Sequence, residues 1–190
     1  MLLLVGLGNP GSNYTNTRHN IGFKIIDAIN VQFKLSKQKP KFKGLLTTGN
    51  IEQKKIYAIK PLTFMNNSGT AIKELIDYFK IDAKNVFVFH DDMDIDFGKI
   101  KAKFGGSSAG HNGIDSIDKF IGKDYSRVRI GIGHPKKKKK VNNHVLEDFK
   151  EDEEEKINEI TDNIVKQLPT LIEKKIDLFS SKVNQDLNGI

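Results

Sequence analysis

The feature that most limits how this chain can fold is an alternation of two apolar periods. Short apolar runs, the length of strands, are followed by stretches in which apolar residues recur every three or four positions. Residues 2–7 form the first short run, which ends in Gly8-Asn9-Pro10-Gly11, a dense turn signal. From about residue 20 to 33, Ile21, Ile25, Ala28, Ile29 and Phe33 share one helix face. Residues 45–50 and 54–59 predict two strands that turn at Glu52 and Gln53. Residues 61–67 read as irregular. Ser68 reads as the cap of a helix whose apolar face is Ala71, Ile72, Leu75, Ile76 and Phe79.

The second half repeats the scheme. Residues 86–89 are an apolar run that stops at His90-Asp91-Asp92. Over 98–104, Ile100, Ala102 and Phe104 alternate with Lys99, Lys101 and Lys103, the pattern of a half-exposed strand with lysines on one face. A Gly/Ser loop spans 105–113. Ile114, Ile117, Phe120 and Ile121 then suggest a helix, and Val128, Ile130 and Ile132 a last strand. Five lysines follow at 136–140. Glu151 to Glu155 suit the positive end of a helix dipole, and Ile157, Ile160, Ile164, Val165 and Leu168 continue at helical spacing. Pro169 is expected to kink or break that helix, with Leu171, Ile172, Ile176 and Phe179 resuming the pattern. Strands alternating with helices imply an α/β fold around a central sheet. No internal repeat or long linker divides the chain, so residues 1–190 read as a single domain.

Composition narrows the function classes. Cysteine is absent, which excludes disulfides and thiolate metal sites and is compatible with a reducing cytoplasm. No segment reaches the ~20 apolar residues of a membrane helix. The apolar start has no basic region before it and reads as a buried strand, not a signal peptide. The formal net charge is +7, which favours a polyanionic partner, commonly nucleic acid.

Candidate chemistry sits where the runs end. Gly6-Leu7-Gly8-Asn9-Pro10-Gly11 satisfies G-x-G-x-x-G, but Ser12-Asn13-Tyr14 is a poor helix start and no acidic residue ends a second strand at the required distance. A tight turn explains the glycines better than a dinucleotide site. His19, alone, is a surface or capping histidine as readily as a catalytic one. Asp91 lies at a similar strand tip, and ligands gather outside such tips in open α/β sheets. A His and an Asp brought together there make a base and its orienter. His90-Asp91-Asp92-Met93-Asp94 could equally be a charged turn or a loose cation site. No second histidine stands at metal-ligand spacing, so no metal is expected. Asn9, Asn66 and Asn112 occupy similar loops, where neutral amides could grip carbonyls. Gly-x-Ser-x-Gly is absent and Ser107 and Ser108 lie in the flexible-looking loop, so water is a simpler nucleophile than serine. Lys101, Lys103, Arg127, Arg129 and Lys136 to Lys140 read as a phosphate-binding face. Few aromatics interleave them, which disfavours a single-strand stacking module.

Taken together and in order, these stretches resemble the bacterial peptidyl-tRNA hydrolase family. The matching motifs are Val5-Gly6-Leu7-Gly8-Asn9-Pro10-Gly11 with Tyr14 and Thr17-Arg18-His19-Asn20, and Pro61-Leu62-Thr63-Phe64-Met65-Asn66-Asn67-Ser68-Gly69. His90-Asp91-Asp92-Met93-Asp94, Gly110-His111-Asn112-Gly113 and Arg127-Val128-Arg129-Ile130-Gly131-Ile132-Gly133-His134-Pro135 complete the set. The resemblance implies a single α/β domain with a twisted mixed β-sheet flanked by α-helices, active as a monomer in the cytoplasm without metal or cofactor. It implies hydrolysis of the ester between a peptide and the 3′ end of tRNA, with His19 as base and Asp91 supporting it. Asn9, Tyr14, Phe64, Met65, Asn66 and Asn112 are the implied substrate-binding residues. Lys101, Lys103, Arg129 and Lys138 are the implied tRNA contacts, with Arg129 and Lys138 at the 5′ phosphate. The lysine run departs from the family's more mixed loop, so Lys138 is one of five equivalent choices. The alternative expectation is a non-catalytic RNA-binding protein on the same fold.

Overall fold

A computed structural model of the chain describes residues 1–135 and 141–188. Its core is one seven-stranded sheet in the order β2-β3-β4-β1-β5-β7-β6. The strands are β1 (Leu2–Gly6), β2 (Lys39–Lys41), β3 (Gly44–Ile51), β4 (Lys54–Pro61), β5 (Val86–Asp92), β6 (Ile100–Phe104) and β7 (Ser126–Gly131). β4, β1, β5 and β7 run parallel, while β2, β3 and β6 add antiparallel edges. The sheet is therefore mixed, as the resemblance implied. The helices are α1 (Ile21–Gln32), α2 (Ser68–Phe79), α3 (Asn112–Ile121), α4 (Val141–Val145), α5 (Glu151–Ile172) and α6 (Ile176–Asn188).

The apolar alternation sorts the helices into two layers. In β1, Leu2 and Leu4 face α1, α5 and α6, while Leu3 and Val5 face α2 and α3. Both sides of β1 and β5 are sealed, so these strands read as continuous apolar runs. Each fully buried Leu, Ile or Phe contributes roughly 1.5–3 kcal/mol, and two such layers anchor the tips that carry the site. Gly6 and Gly22 let α1 lie directly on the sheet, because a Cβ on Gly6 would strike the Gly22 carbonyl and one on Gly22 would strike Leu7 and Phe89 backbone. That close approach sets the residues just before α1 over the ends of β1 and β5.

β5 carries its pairing with β7 past the apolar run through Asp92, so Asp91 does sit at the strand tip where the sequence placed it. Two local expectations are corrected, and one strand was not foreseen. Ser68 is not a cap: a 3₁₀ turn, Met65–Asn67, feeds straight into α2, and the Ser68 hydroxyl donates to the Met65 carbonyl at 2.9 Å. Pro169 neither breaks nor ends α5, which runs on to Ile172. Ile164, Val165, Leu168, Leu171 and Ile172 are buried on both sides of the proline, and their packing outweighs one missing amide donor. The helix instead ends near Lys174, in the left-handed region at φ 64°. β2 was not foreseen: Lys39-Pro40-Lys41 has no apolar alternation and is fully exposed.

The β6 edge is covered by α6. Ser180 Oγ accepts from the Ala102 amide at 2.8 Å, and the Asn184 side chain both accepts from and donates to the Ile100 backbone. Side chains thus occupy hydrogen-bonding positions that an open edge would offer to another strand. Among the described residues no helix is long and apolar enough to cross a membrane.

Candidate active site

The parallel strands end along one rim of the sheet. The chain leaves β1 toward β4 and later returns to β5 on the other side, so the connections diverge between β1 and β5, where a crevice forms in such folds. His19 reaches this crevice from a 3₁₀ turn, Arg18–Asn20, that immediately precedes α1. Asp91 reaches it from the penultimate position of β5.

The turn that carries His19 is fixed from both sides. The Asn20 side chain brackets the Asn9 backbone, accepting from its amide and donating to its carbonyl, each at 2.9 Å. Arg18 is buried. Its guanidinium donates to the Glu147 and Asp148 carbonyls and pairs with Glu153 at 2.6 Å, strapping the segment before α5 onto the turn.

His19 Nδ1 lies 2.8 and 2.9 Å from the two Asp91 carboxylate oxygens, and both residues are buried. With the proton on Nδ1 facing the carboxylate, Nε2 keeps a lone pair for the cleft. Burial alone would lower the His19 pKa, but the charge and hydrogen bond of Asp91 outweigh it and hold it above 6.5. Burial would push the Asp91 carboxyl up, yet His19 and His111, by charge and hydrogen bonds, hold it well below the usual carboxylate range. Asp91 therefore stays ionised beside the base.

His111 is the residue that sequence reasoning missed. Its Nε2 lies 3.0 Å from Asp91 Oδ1, and its Nδ1 accepts from the Gly113 and Ile114 amides at 3.1 and 3.3 Å as the N-cap of α3. Two incoming N–H groups require a lone pair at Nδ1, so the ring proton sits on Nε2 and is donated to Asp91. His90 packs against His111, and burial pushes its pKa well down. The available signal was position: His111 directly precedes a helix, where a side-chain acceptor belongs.

His19, Asp91 and His111 have potential ligand atoms all within 4.8 Å of one another. Sequence spacing did not pair these groups, since the fold brings them from a 3₁₀ turn, a strand end and a helix cap. The donor set fits a hydrogen-bonded cluster better than a metal. A cation at His111 Nε2 would need the lone pair there and would force a proton onto Nδ1, against two N–H donors.

Beside His19 opens a cleft of about 680 Å³, lined by Asn9, Phe64, Met65, Asn66 and Asn112 together with Val145 and Leu146. Met65 is buried and its amide donates to Asn9 Oδ1 at 2.8 Å, which turns the Asn9 amide nitrogen away from that contact. Phe64 is more than half exposed and adopts φ 55°, a strained conformation for a non-glycine residue. Tyr14 does not line this cleft. It meets Phe64 edge-on at 6.4 Å between ring centroids. Asn66 and Asn112 are both exposed, one in the turn before α2 and the other opening α3.

The basic face is smaller than the sequence implied. Register places Lys101 opposite Arg129 and Lys103 opposite Arg127, so all four share one sheet face. Arg127, however, is 2% exposed and donates to the Ser107 and Gly105 carbonyls. It holds the Gly/Ser loop, and its burial and these two carbonyl bonds leave it unavailable for phosphate. Lys101 is exposed, and Lys103 and Arg129 are half-buried. Lys138 lies outside the described residues.

A buried His–Asp pair at the strand tips of an α/β sheet, beside an amide-lined cleft, is the layout of a hydrolase that activates water. The peptidyl-tRNA hydrolase family model matches residues 3–189 of the chain. The chain is 72% identical over 184 residues to the peptidyl-tRNA hydrolase of Pelagibacter ubique (strain HTCC1062), covering 97% of this chain and 99% of the relative. It is 46% identical over 185 residues to that of Ehrlichia canis (strain Jake), covering 97% and 95%. A solved structure of peptidyl-tRNA hydrolase from Acinetobacter baumannii matches the fold with a TM-score of 0.90 at 34% identity, covering 97% and 94%. The chain belongs to the peptidyl-tRNA hydrolase family, as its ordered motifs implied.

Proposed function

We propose that this chain hydrolyses the ester joining a peptide to the 3′ end of tRNA, with His19 activating water and Asp91 supporting it. The observation that carries the reading is the buried His19–Asp91 pair with Nε2 left to the cleft. Neutral His19 takes a proton from water as its oxygen attacks the ester carbonyl. Asp91 stabilises the imidazolium that forms. Amide donors from Asn66 or Asn112 face the oxyanion, an effect worth roughly 3–4 kcal/mol in other hydrolases. The 3′-hydroxyl of tRNA leaves and takes up the proton from His19, which restores the neutral base. Asn9, Phe64 and Met65 form the wall along which the peptide lies, and Tyr14 braces Phe64.

The tRNA lies across the basic face, with Lys101, Lys103 and Arg129 on backbone phosphates. Arg129 takes the 5′ phosphate, and Lys138 is assigned to it with the other lysines of the run. The protein acts as a monomer in the cytoplasm, where translation supplies its substrate. A purely RNA-binding role does not need a buried, ionised Asp91 holding an imidazole at 2.8 Å.

The test is release of N-acetyl-aminoacyl groups from tRNA with a chelator present. Wild type should turn over, and His19→Ala should abolish turnover while tRNA binding survives. Near-normal turnover by His19→Ala would sink the assignment.

A further inference from the structure

Asp92 is the last residue of β5, directly after Asp91, and nothing in the hydrolytic step uses it. Its carboxylate is held at both oxygens. Oδ1 accepts from the Asp94 amide at 2.9 Å, and Oδ2 accepts from Arg129 Nε at 2.7 Å. The Asp92 side chain is 7% exposed and that of Arg129 is 19%. The pair is thus shielded, and its geometry is set by backbone on one side.

The bond to Nε matters because of what it leaves over. A guanidinium offers five N–H donors in a rigid fork. With Nε engaged, the edge formed by Nη1 and Nη2 remains, and neither atom has a hydrogen-bond partner among the described residues. That edge matches two oxygens of a phosphate. Lys101 and Lys103 stand on the same face of the adjoining strand. Burial, then the charges of Arg127 and Arg129, lower the Lys103 pKa, as expected of cations that Asp92 does not fully balance.

We infer that Asp92 is a positioning residue for phosphate recognition, aiming the Arg129 fork at the tRNA 5′ phosphate. This rests on the reading of Arg129 proposed above. Asp92 and the catalytic Asp91 are consecutive on one strand, so the phosphate grip and the ester site are fixed to the same rigid element.

Charge and geometry predict opposite signs, which makes the inference testable. A carboxylate beside a phosphate site repels the ligand, so by charge alone Asp92→Asn should bind tRNA more tightly. Loss of positioning should weaken it. The readout is the ratio of kcat/KM for N-acetyl-aminoacyl-tRNA bearing its 5′ phosphate to that for dephosphorylated substrate. Asp92→Asn should cut this preference by roughly tenfold, the scale of one charge-assisted hydrogen bond, with the change mainly in KM. Asp92→Glu should restore part of it. Arg129→Lys keeps the charge but has no fork, so adding Asp92→Asn to it should change little more. Thermal unfolding of each variant separates misfolding from lost positioning, and the Arg129→Lys background keeps the test alive if Asp92→Asn is unstable.

Tighter binding by Asp92→Asn, a retained preference, or an equal effect of Asp92→Asn in both backgrounds would overturn the inference alone. Absence of any 5′-phosphate preference in wild type would overturn the Arg129 reading and the inference together.

Discussion

The ester end and the phosphate end of the site use different physics. At the ester end, His19 and Asp91 are buried, His111 is partly buried, and the three are joined by bonds of 2.8–3.0 Å, with His111 also tied to backbone as a helix cap. At the phosphate end, Lys101 is exposed, Lys103 is half-buried, and among the described residues Arg129 is tied to Asp92. Proton transfer requires atoms placed to within fractions of an ångström. Phosphate attraction tolerates looser placement, because Coulomb forces fall slowly and counterion release needs charge more than geometry. The chain spends its burial where the reaction is position-sensitive and leaves its surface charge where it is not.

The sharpest way to break this contrast is Asp91→Asn. The amide keeps the shape but cannot hold an imidazolium, and it offers N–H where His19 Nδ1 needs an acceptor. Removing the orienting carboxylate costs on the order of 10⁴ in kcat in a related His–Asp arrangement, and a loss of at least 10²-fold is expected here. The pH profile gives a second readout. Activity needs neutral His19, so the rate should rise with pH through a midpoint above 6.5, where Asp91 holds the imidazole. Without Asp91 that support is lost while burial remains, so the midpoint should move to lower pH. A profile that stays put in Asp91→Asn would mean another group controls the base.

His111 tests whether the rigidity itself matters. His111→Ala removes the N-cap of α3 and one donor to Asp91 together. The cap should cost about 1 kcal/mol of stability, read as a lower unfolding midpoint. The lost bond to a charged acceptor should lower kcat roughly tenfold or more. His111→Asn separates the two, since asparagine caps well but does not reproduce the imidazole's reach to Asp91. Restored stability with kcat still reduced is expected. Restored kcat would make His111 a structural cap only.

What could be read from the sequence follows the same divide. Apolar periodicity located nearly every strand and helix, because burial on one or both faces leaves a pattern within a few residues. Sheet order left no such trace, since β5 finds β1 and β7 across long separations. His19 and Asp91 were found by their places at run ends and by motif order. His111 was not, because its role depends on a helix cap and a carboxylate twenty residues away in the chain. Arg127 was assigned to phosphate with its neighbours because alternation alone cannot tell an open ladder from a partly buried one. Pro169 was expected to disrupt a helix that tertiary packing keeps intact.

The weakest expected effect is the most direct check on the phosphate end. Lys101→Ala removes one exposed cation and no described hydrogen bond, so the unfolding midpoint should hardly move. If Lys101 meets a phosphate, tRNA binding should weaken a few-fold at low salt, and the slope of log affinity against log salt should shrink by about one. Arg127→Ala, two strand positions from Arg129, should do the reverse. Its buried guanidinium satisfies the Ser107 and Gly105 carbonyls, so losing it should cost about 1–3 kcal/mol in stability and leave the salt slope nearly unchanged. Equal flattening of the slope by both variants would show that Arg127 reaches the tRNA despite its burial, and the division between a fixed catalytic end and a loose electrostatic one would fail at its boundary.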